Sequence, residues 1–401
     1  MTALAVGALK ETAPGERRVA LDPEAVARLV AAGKSVFIES GAGTAASFTD
    51  AAFETSGATV GTRAQVIAAA DVLAVVRYPD DAVASTLRSG QVLLGLVDPL
   101  NHLAETERLA SAGITVVALE LLPRTVSRAQ AMDALSSQSS AAGYRAGIVA
   151  AEAFGRYLPM MITASGTARP AKVIVIGTGV AGLQAIATTK RLGAVVTGYD
   201  VRADSRGEVE SLGAQFMTSS VSNGAGAGGY ARALTAEEQA TQENELAAAL
   251  VGFDIIITTA KVPGRTPPVL VSARTLAALH PGSVCIDLGS SDRGGNVAGS
   301  VDGATVVTEG GVTVVGAGEL ASDLPTSSSQ MYGRNVVSVL ASLAPGEGIE
   351  IDPTDAVHLA IVVSHSGEIT NAQVRAALDL DPLEAHPATT SKATTKGTNA
   401  A

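Results

Sequence analysis

The sequence predicts an α/β protein of two domains, each built on a parallel sheet and joined to the other by long connecting helices. Short β-branched runs alternate with helical stretches over 3–122, and the same rhythm resumes after residue 162; such alternation indicates βαβ units. Between these stretches, small and apolar residues recur at helical spacing for too long to form a strand. With 401 residues and 47% apolar side chains, the chain can bury more than one core.

The composition argues against several classes of protein. The net charge of −11 disfavours a surface that neutralises nucleic-acid phosphates. A single cysteine, Cys285, and five scattered histidines support neither a disulfide framework nor a metal site. We therefore expect a globular protein of a reducing compartment, without a metal and without a nucleic-acid partner.

The elements follow in order along the chain. Residues 1–125 are expected to form the first α/β domain, completed by about 322–370, because the apolar helix near the C-terminus is expected to pack back on it. Residues 126–161 hold the connecting helix, and 162–321 form the second domain. The tail, 371–401, lacks apolar residues towards its end, which is expected to be disordered.

No leader or membrane span is expected. The apolar stretch at the start precedes the charged residues, the reverse of a secretory signal. No uninterrupted apolar run approaches the roughly 20 residues that cross a bilayer, and the segment richest in apolar residues, 172–189, contains three glycines, a glutamine and several threonines.

The strongest local signal is the GTGVAG segment, residues 177–182, directly after the predicted strand KVIVI and at the start of a helix. In that context the pattern is a dinucleotide fingerprint, so a Rossmann-like domain is predicted. Gly177 allows the tight turn, Gly179 lets a pyrophosphate approach the backbone, and Gly182 allows close helix packing, while the helix N-terminus offers free N–H groups to the phosphates.

Asp200 ends the next predicted strand, 18 residues after Gly182. A carboxylate there accepts hydrogen bonds from both ribose hydroxyls and would repel a 2′-phosphate, which favours NAD(H) over NADP(H). Arg202, two residues later, weakens this preference because an arginine near this strand end can pair with a 2′-phosphate.

A polar cluster lies where the two domains are expected to meet: Arg124, Arg128, Gln130, Asp133 and Ser136. A helix beginning near Ser127 would place residues 130, 133 and 136 on one face, where they could hold a carboxamide. The alternative is a solvated helix start with Ser127 as its cap. The cluster contains no obvious general base.

Five separated motifs resemble one family in order and spacing: RAQAMDALSSQSSAAGYRA, GTGVAGLQAIATTKRLGAVVTGYDVR, GGYA, DIIITTA and LPTSSSQMYGRN. They are similar to the NAD(H)-binding component of the proton-translocating NAD(P) transhydrogenase, over about residues 1–370. The resemblance implies direct hydride transfer from NADH bound on this chain to NADP+ bound on a partner subunit, coupled to proton movement across a membrane.

The resemblance also implies residue roles. Arg128, Gln130, Asp133 and Ser136 would be the catalytic residues that hold the dihydronicotinamide, with Arg124 beside them. The pyrophosphate would lie on Gly177, Gly179, Val180 and Gly182, the adenosine on Asp200, Val201 and Arg202, and a closing loop would contain Gly229 and Tyr230. In two places the sequence departs from the family pattern: PRTVSRAQ is one residue longer than PRxxRAQ, and Lys261 replaces a usually apolar residue.

The family component is a homodimer, so a homodimer is implied, together with separate NADP(H)-binding and membrane-spanning subunits. The implied location is cytoplasmic, at the inner face of the cell membrane through those subunits.

Two other functions compete with this one. Alanine dehydrogenase looks similar over both domains, and Arg18 matches its substrate-binding arginine. Arg77 and Asp98, however, stand where that family has its lysine and catalytic histidine, so pyruvate could be neither polarised nor protonated. The second competitor is a non-catalytic NAD-sensing protein, against which the intact Gln130, Asp133 and Ser136 argue.

Overall fold

The computed structural model describes residues 3–221, 235–261, 264 and 266–383. The N-terminal third of the chain alternates strands with helices that cover the sheet. These elements are β1 Ala5–Ala8, α1 Pro23–Ala31, β2 Ser35–Glu39, α2 Asp50–Thr55, β3 Thr59–Gly61, α3 Arg63–Ala69, β4 Val72–Arg77, α4 Asp81–Ala84, β5 Val92–Leu96, α5 Leu103–Ser111 and β6 Thr115–Ala118.

A long helix and a small hairpin then lead to a second run of strands and helices. These elements are α6 Ala134–Ala153, β7 Met161–Thr163, β8 Gly166–Ala168, β9 Lys172–Ile176, α7 Val180–Arg191, β10 Val195–Tyr199, α8 Arg206–Ser211, β11 Gln215–Met217, α9 Ala236–Leu250, β12 Ile255–Thr258, α10 Ala273–Ala278, β13 Val284–Asp287, β14 Thr305–Val307 and β15 Thr313–Gly316. The remaining elements are α11 Pro325–Leu343, α12 Ala356–Ile361, β16 Val362–His365, β17 Glu368–Ile369 and α13 Ala372–Ala377.

The first sheet has the strand order β17-β16-β6-β5-β4-β1-β2-β3. Strands β1 to β6 are parallel, and the order reverses between β1 and β4. The second sheet has the order β11-β10-β9-β12-β13-β15-β14, and its order reverses in the same way between β9 and β12. In open parallel sheets, ligands bind outside the carboxyl ends of the strands at such a reversal.

The prediction of an α/β fold on two mainly parallel sheets is confirmed. The edges differ from it, because β16, β17 and β14 run antiparallel to their neighbours. Strands β16 and β17 are joined by the two-residue turn Ser366-Gly367, with φ of +52° and +91°, the backbone conformation of a tight hairpin. This short Ser-Gly signal escaped the sequence analysis.

Helix α11 packs into the core on one face of the first sheet. Tyr332, Val336, Leu340 and other residues on one side of α11 are buried among β-branched residues of the central strands. The Tyr332 hydroxyl donates a hydrogen bond to the carbonyl oxygen of Val75, 2.7 Å away. The chain therefore returns to the first sheet after completing the second.

None of the helices in the described part of the chain combines the length and the apolar character that a bilayer span needs.

Candidate functional site

The loop between β9 and α7 forms a cradle at the carboxyl end of the central strand of the second sheet. Gly177 adopts φ +91°, and a Cβ on Gly182 would lie 1.9 Å from the Gly177 carbonyl oxygen, so the turn closes tightly on itself. The space above Gly179 is open, since its chain neighbours aside no atom of the described residues lies within 4 Å of where its Cβ would be. No side chain of the described residues caps this helix, and its first amides are therefore available there as donors. The cradle fits a pyrophosphate.

Asp200 follows β10 and lies against this cradle. Its carboxylate accepts hydrogen bonds from the Thr178 amide at 2.8 Å and from the Thr178 hydroxyl at 3.1 Å. The Arg202 backbone amide and guanidinium donate to the same carboxylate at 2.9 to 3.1 Å. Burial alone would raise the pKa of Asp200, but the hydrogen bonds from Arg202 and Thr178 hold it below its usual value.

Three further residues, Val201, Gly229 and Tyr230, were predicted to lie near the bound nucleotide, and Lys261 departs from the family pattern. Val201 is exposed beside Asp200, and Lys261 is exposed after β12. Gly229 and Tyr230, predicted to fold over the nucleotide, lie outside the described residues.

The junction between the two halves of the chain brings three of the five predicted polar residues together. The Arg124 guanidinium donates a hydrogen bond to the Ser136 hydroxyl at 3.0 Å and lies 3.7 Å from an Asp133 oxygen. The Ser136 hydroxyl in turn donates to Asp133 at 2.6 Å. Despite the extra residue before RAQ, Arg124 thus reaches this cluster.

The helix start at this junction differs from the expectation. Residues Ser127–Met132 form a 3-10 helix without a side-chain cap, and α6 begins at Ala134. Asp133 is the N-cap, since its carboxylate accepts the Ser136 amide at 2.8 Å. The alternative in which Ser127 caps the helix is therefore wrong, and Asp133 has that role.

Arg128 and Gln130 lie apart from this cluster. The Arg128 guanidinium forms an ion pair with Asp355, the residue that caps α12. The Gln130 side chain is exposed. Asp355 is thus a site residue that the sequence analysis missed, and no local signal marks it, because 227 positions separate it from Arg128.

Helix α6 connects the junction to the cradle, because it packs directly on α7. At the crossing, a Cβ on Gly143 would lie 2.0 Å from the carbonyl oxygen of Ala181, inside the fingerprint. Gly143 was also missed, although two glycines four apart, at 143 and 147, are a visible pattern in the sequence.

The carboxyl end of the first sheet holds the residues relevant to an amino acid dehydrogenase. Arg18 is 4% exposed, pairs with Glu16 at 2.6 Å and donates to Gln138 at 2.9 Å. Asp98, where a catalytic histidine would stand, accepts a hydrogen bond from Asn101 at 2.6 Å. The guanidinium that would bind a substrate carboxylate therefore already has protein partners.

No group of three or more metal-ligating side chains occurs among the residues that the structure describes.

Two sequence families match nearly the whole chain. "Alanine dehydrogenase/PNT, N-terminal domain" matches residues 7–142, and "Alanine dehydrogenase/PNT, C-terminal domain" matches residues 146–372. The predicted resemblance to a transhydrogenase component is thereby confirmed at the level of the family.

Individual relatives agree. The first segment of the NAD(P) transhydrogenase alpha subunit of Rhodospirillum rubrum is 45% identical over 340 residues, covering 82% of this chain and 88% of the relative. Alanine dehydrogenase of Mycobacterium tuberculosis is 35% identical, covering 74% of each chain. The crystal structure of transhydrogenase from Sinorhizobium meliloti superposes with a TM-score of 0.82 at 40% identity, covering 91% of this chain and 99% of that one. On these grounds the chain belongs to the alanine dehydrogenase/PNT family.

Proposed function

We propose that this chain is the NAD(H)-binding subunit of a proton-translocating NAD(P) transhydrogenase, and that hydride passes directly between NADH bound here and NADP+ bound on a partner subunit. The observation that carries the proposal is the 45% identity with the first segment of a transhydrogenase alpha subunit, over 88% of that segment's length. The geometry and the polar groups of the cradle and of the junction also support the proposal.

The cradle would hold the diphosphate half of NADH. The free amides at the start of α7, at Val180 and the two residues after it, would donate to the pyrophosphate, and the open space above Gly179 would admit it. Asp200 would accept hydrogen bonds from the ribose hydroxyls, and Val201 would lie against the adenine. Because Arg202 already donates to Asp200, ribose binding would share or replace those hydrogen bonds.

The junction would hold the other half. NADH supplies the hydride from its dihydronicotinamide ring. Arg124, Asp133 and Ser136 form a hydrogen-bonded row that can fix a carboxamide, and the exposed Gln130 can reach across the contact to the partner. Transfer between two nicotinamides exchanges no proton at the reacting carbons, so positioning and exclusion of water suffice. The absence of histidine and lysine from residues 124–138 agrees with this requirement.

Arg128 would join the nicotinamide contact only after leaving Asp355. In the structure this ion pair ties the 3-10 segment to the start of α12. The Arg128 side chain is half exposed, so water and salt weaken its ion pair with Asp355. Little free energy is therefore needed for Arg128 to leave Asp355 for the nicotinamide.

The assembly follows from the same proposal. The chain would act as a homodimer at the inner face of a cell membrane, held there by the membrane-spanning subunit, with NADP(H) on a third component. Neither a metal nor a nucleic acid takes part in this scheme.

Stopped-flow transfer of hydride from NADH to an NADP+ analogue tests the proposal. The purified chain is mixed with an NADP(H)-binding transhydrogenase component, and alanine with NAD+ is the parallel control. Fast transfer that depends on the added component is expected. NADH formation from alanine would instead identify a free dehydrogenase, and NADH binding without either activity would leave a sensor.

A further inference from the structure

The crossing of α6 and α7 joins the two halves of the proposed site at one point. Helix α6 starts at the Asp133 cap, and α7 starts in the cradle. At the crossing, a Cβ on Gly143 would lie 2.0 Å from the Ala181 carbonyl oxygen and 2.9 Å from its Cα. The obstacle is backbone, which cannot rotate away as a side chain can.

Backbone conformation does not explain this glycine. Gly143 lies inside a 20-residue helix and is absent from the glycines with positive φ. Glycine inside a helix destabilises the helix relative to alanine, because it loses more conformational freedom on folding. The close approach to Ala181 is therefore the physical reason that this position has no side chain.

The contact also fixes the cradle from outside. Within the loop, Gly182 packs on the Gly177 carbonyl, and a Cβ on Gly182 would lie 1.9 Å from that carbonyl oxygen. From the other side, Gly143 packs on Ala181, the residue between Val180 and Gly182. The first turn of α7 is thus clamped between its own loop and α6, and α6 runs about 15 Å from Gly143 back to the Asp133 cap, at 1.5 Å per residue.

We infer that Gly143 is a positioning residue, whose contact with the Ala181 carbonyl sets the separation between the nicotinamide-holding junction and the pyrophosphate cradle. The inference rests on the proposed function, since it concerns the alignment of NADH for hydride transfer. A side chain at 143 displaces the cradle relative to the junction, so the diphosphate half still binds while the dihydronicotinamide is misplaced.

Gly147 provides a matched control. It lies one turn further along α6 on the same face, and its Cβ would meet Thr188 side-chain atoms at 2.8 and 2.9 Å. Thr188 is seven residues beyond Ala181, about 10 Å along α7. Gly147→Ala therefore disturbs the same helix pair at a distance from the cradle.

The experiment compares Gly143→Ala, Gly147→Ala and the parent chain by three readouts: melting temperature, affinity for ADP-ribose, and single-turnover hydride transfer at saturating NADH with the NADP(H)-binding component. Gly143→Ala is expected to slow transfer about tenfold or more, with ADP-ribose affinity within about threefold of the parent. Gly147→Ala is expected to lower the melting temperature while leaving both functional readouts within about threefold. Parent-like transfer in Gly143→Ala, or equal slowing in both variants, would overturn the inference.

Two further measurements keep the outcomes separate. If the parent transfers no hydride, the proposed function fails, and the role of Gly143 is then tested by binding measurements alone. Gly143→Ala must weaken the binding of NADH more than the binding of ADP-ribose. Equal weakening of both refutes the inference. If Gly143→Ala does not fold, hydrogen exchange on the parent decides. NADH must protect the amides at 143–147 beyond the protection given by ADP-ribose, and equal protection refutes the positioning role.

Discussion

At the scale of single residues, Asp200 is the most fully engaged group of the candidate site. Its carboxylate accepts hydrogen bonds from Thr178, which lies in the cradle, and from Arg202. Those hydrogen bonds hold its pKa below the usual value, although burial by itself would raise it. Its charge is therefore present throughout the neutral range. A fixed negative charge at this strand end is what distinguishes a ribose hydroxyl from a 2′-phosphate.

Asp200→Asn is expected to raise the dissociation constant of NADH about tenfold or more, because hydrogen bonds to a charged group contribute roughly 1.5–3 kcal/mol. The same variant should narrow the preference for NADH over NADPH. The chain has no tryptophan, so titration followed by NADH fluorescence reads binding directly.

The exposed Asp204 offers a matched control in the next turn. Asp204→Asn removes the same charge and should leave the affinity for NADH near that of the parent. Equal effects of the two variants would show that only the long-range charge matters and would remove Asp200 from the ribose contact.

At the scale of elements, the start of α6 shows why one expectation failed. Ser127 and Asp133 are both good capping residues, and local sequence cannot choose between them. Burial decides: Ala129 and Met132, three residues apart, are both buried against the first-sheet core, and a 3-10 helix aligns residues at that spacing. The α-helix therefore starts only after the buried turn, at Asp133.

Asp133 has two separable tasks, capping α6 and pairing with Arg124. Asp133→Asn keeps a capping oxygen and is expected to leave the free energy of unfolding nearly unchanged, whereas Asp133→Ala should lower it by about 1 kcal/mol. Urea unfolding measures this difference. Both variants should slow hydride transfer, because both remove the charge that holds Arg124; a parent-like rate in Asp133→Asn would show that Asp133 acts only as a cap.

The elements also separate what sequence can predict from what it cannot. The strand, fingerprint and helix over residues 172–191 were predictable because the pattern is local and each glycine has its own steric reason. The contacts of Gly143 with Ala181 and of Arg128 with Asp355 join segments distant in sequence. Residue types alone do not show which distant segments meet, so these features of the site appeared only in the folded chain.

At the scale of the whole molecule, the carboxyl end of the first sheet buries acids that the proposed site does not use. Burial raises the pKa of Glu120 to about 8 and that of Glu11 to about 7. The Glu120 Oε1 accepts the Asp98 amide, while Oε2 is buried without a partner among the described residues. Near neutral pH the folded chain thus holds protons that the unfolded chain releases.

The stability of the protein should consequently fall as pH rises. From the ordinary carboxyl pKa of 4.5 up to the raised pKa, about 8 for Glu120 and about 7 for Glu11, the folded state binds more protons than the unfolded state, so each carboxyl lowers the free energy of unfolding by at most about 1.4 kcal/mol per pH unit. Urea unfolding from pH 5 to 8 should show this decline, and Glu120→Gln should flatten it.

Glu107, exposed on α5, supplies the comparison. Glu107→Gln should keep the slope of the parent. A slope unchanged by Glu120→Gln would mean that the Glu120 carboxyl is ionised in the folded protein.

The return of α11 to the first sheet has a consequence for synthesis on the ribosome. The second sheet is contiguous in sequence, so all its strands have left the exit tunnel before α11 does. The first core, by contrast, is complete only after Tyr332 has been made. The hydroxyl of Tyr332 donates a hydrogen bond to the carbonyl oxygen of Val75, which lies 257 positions earlier in the chain. The half that is translated first is therefore the half that finishes folding last, and the apolar face that α11 covers stays exposed for as long as the second half takes to be made.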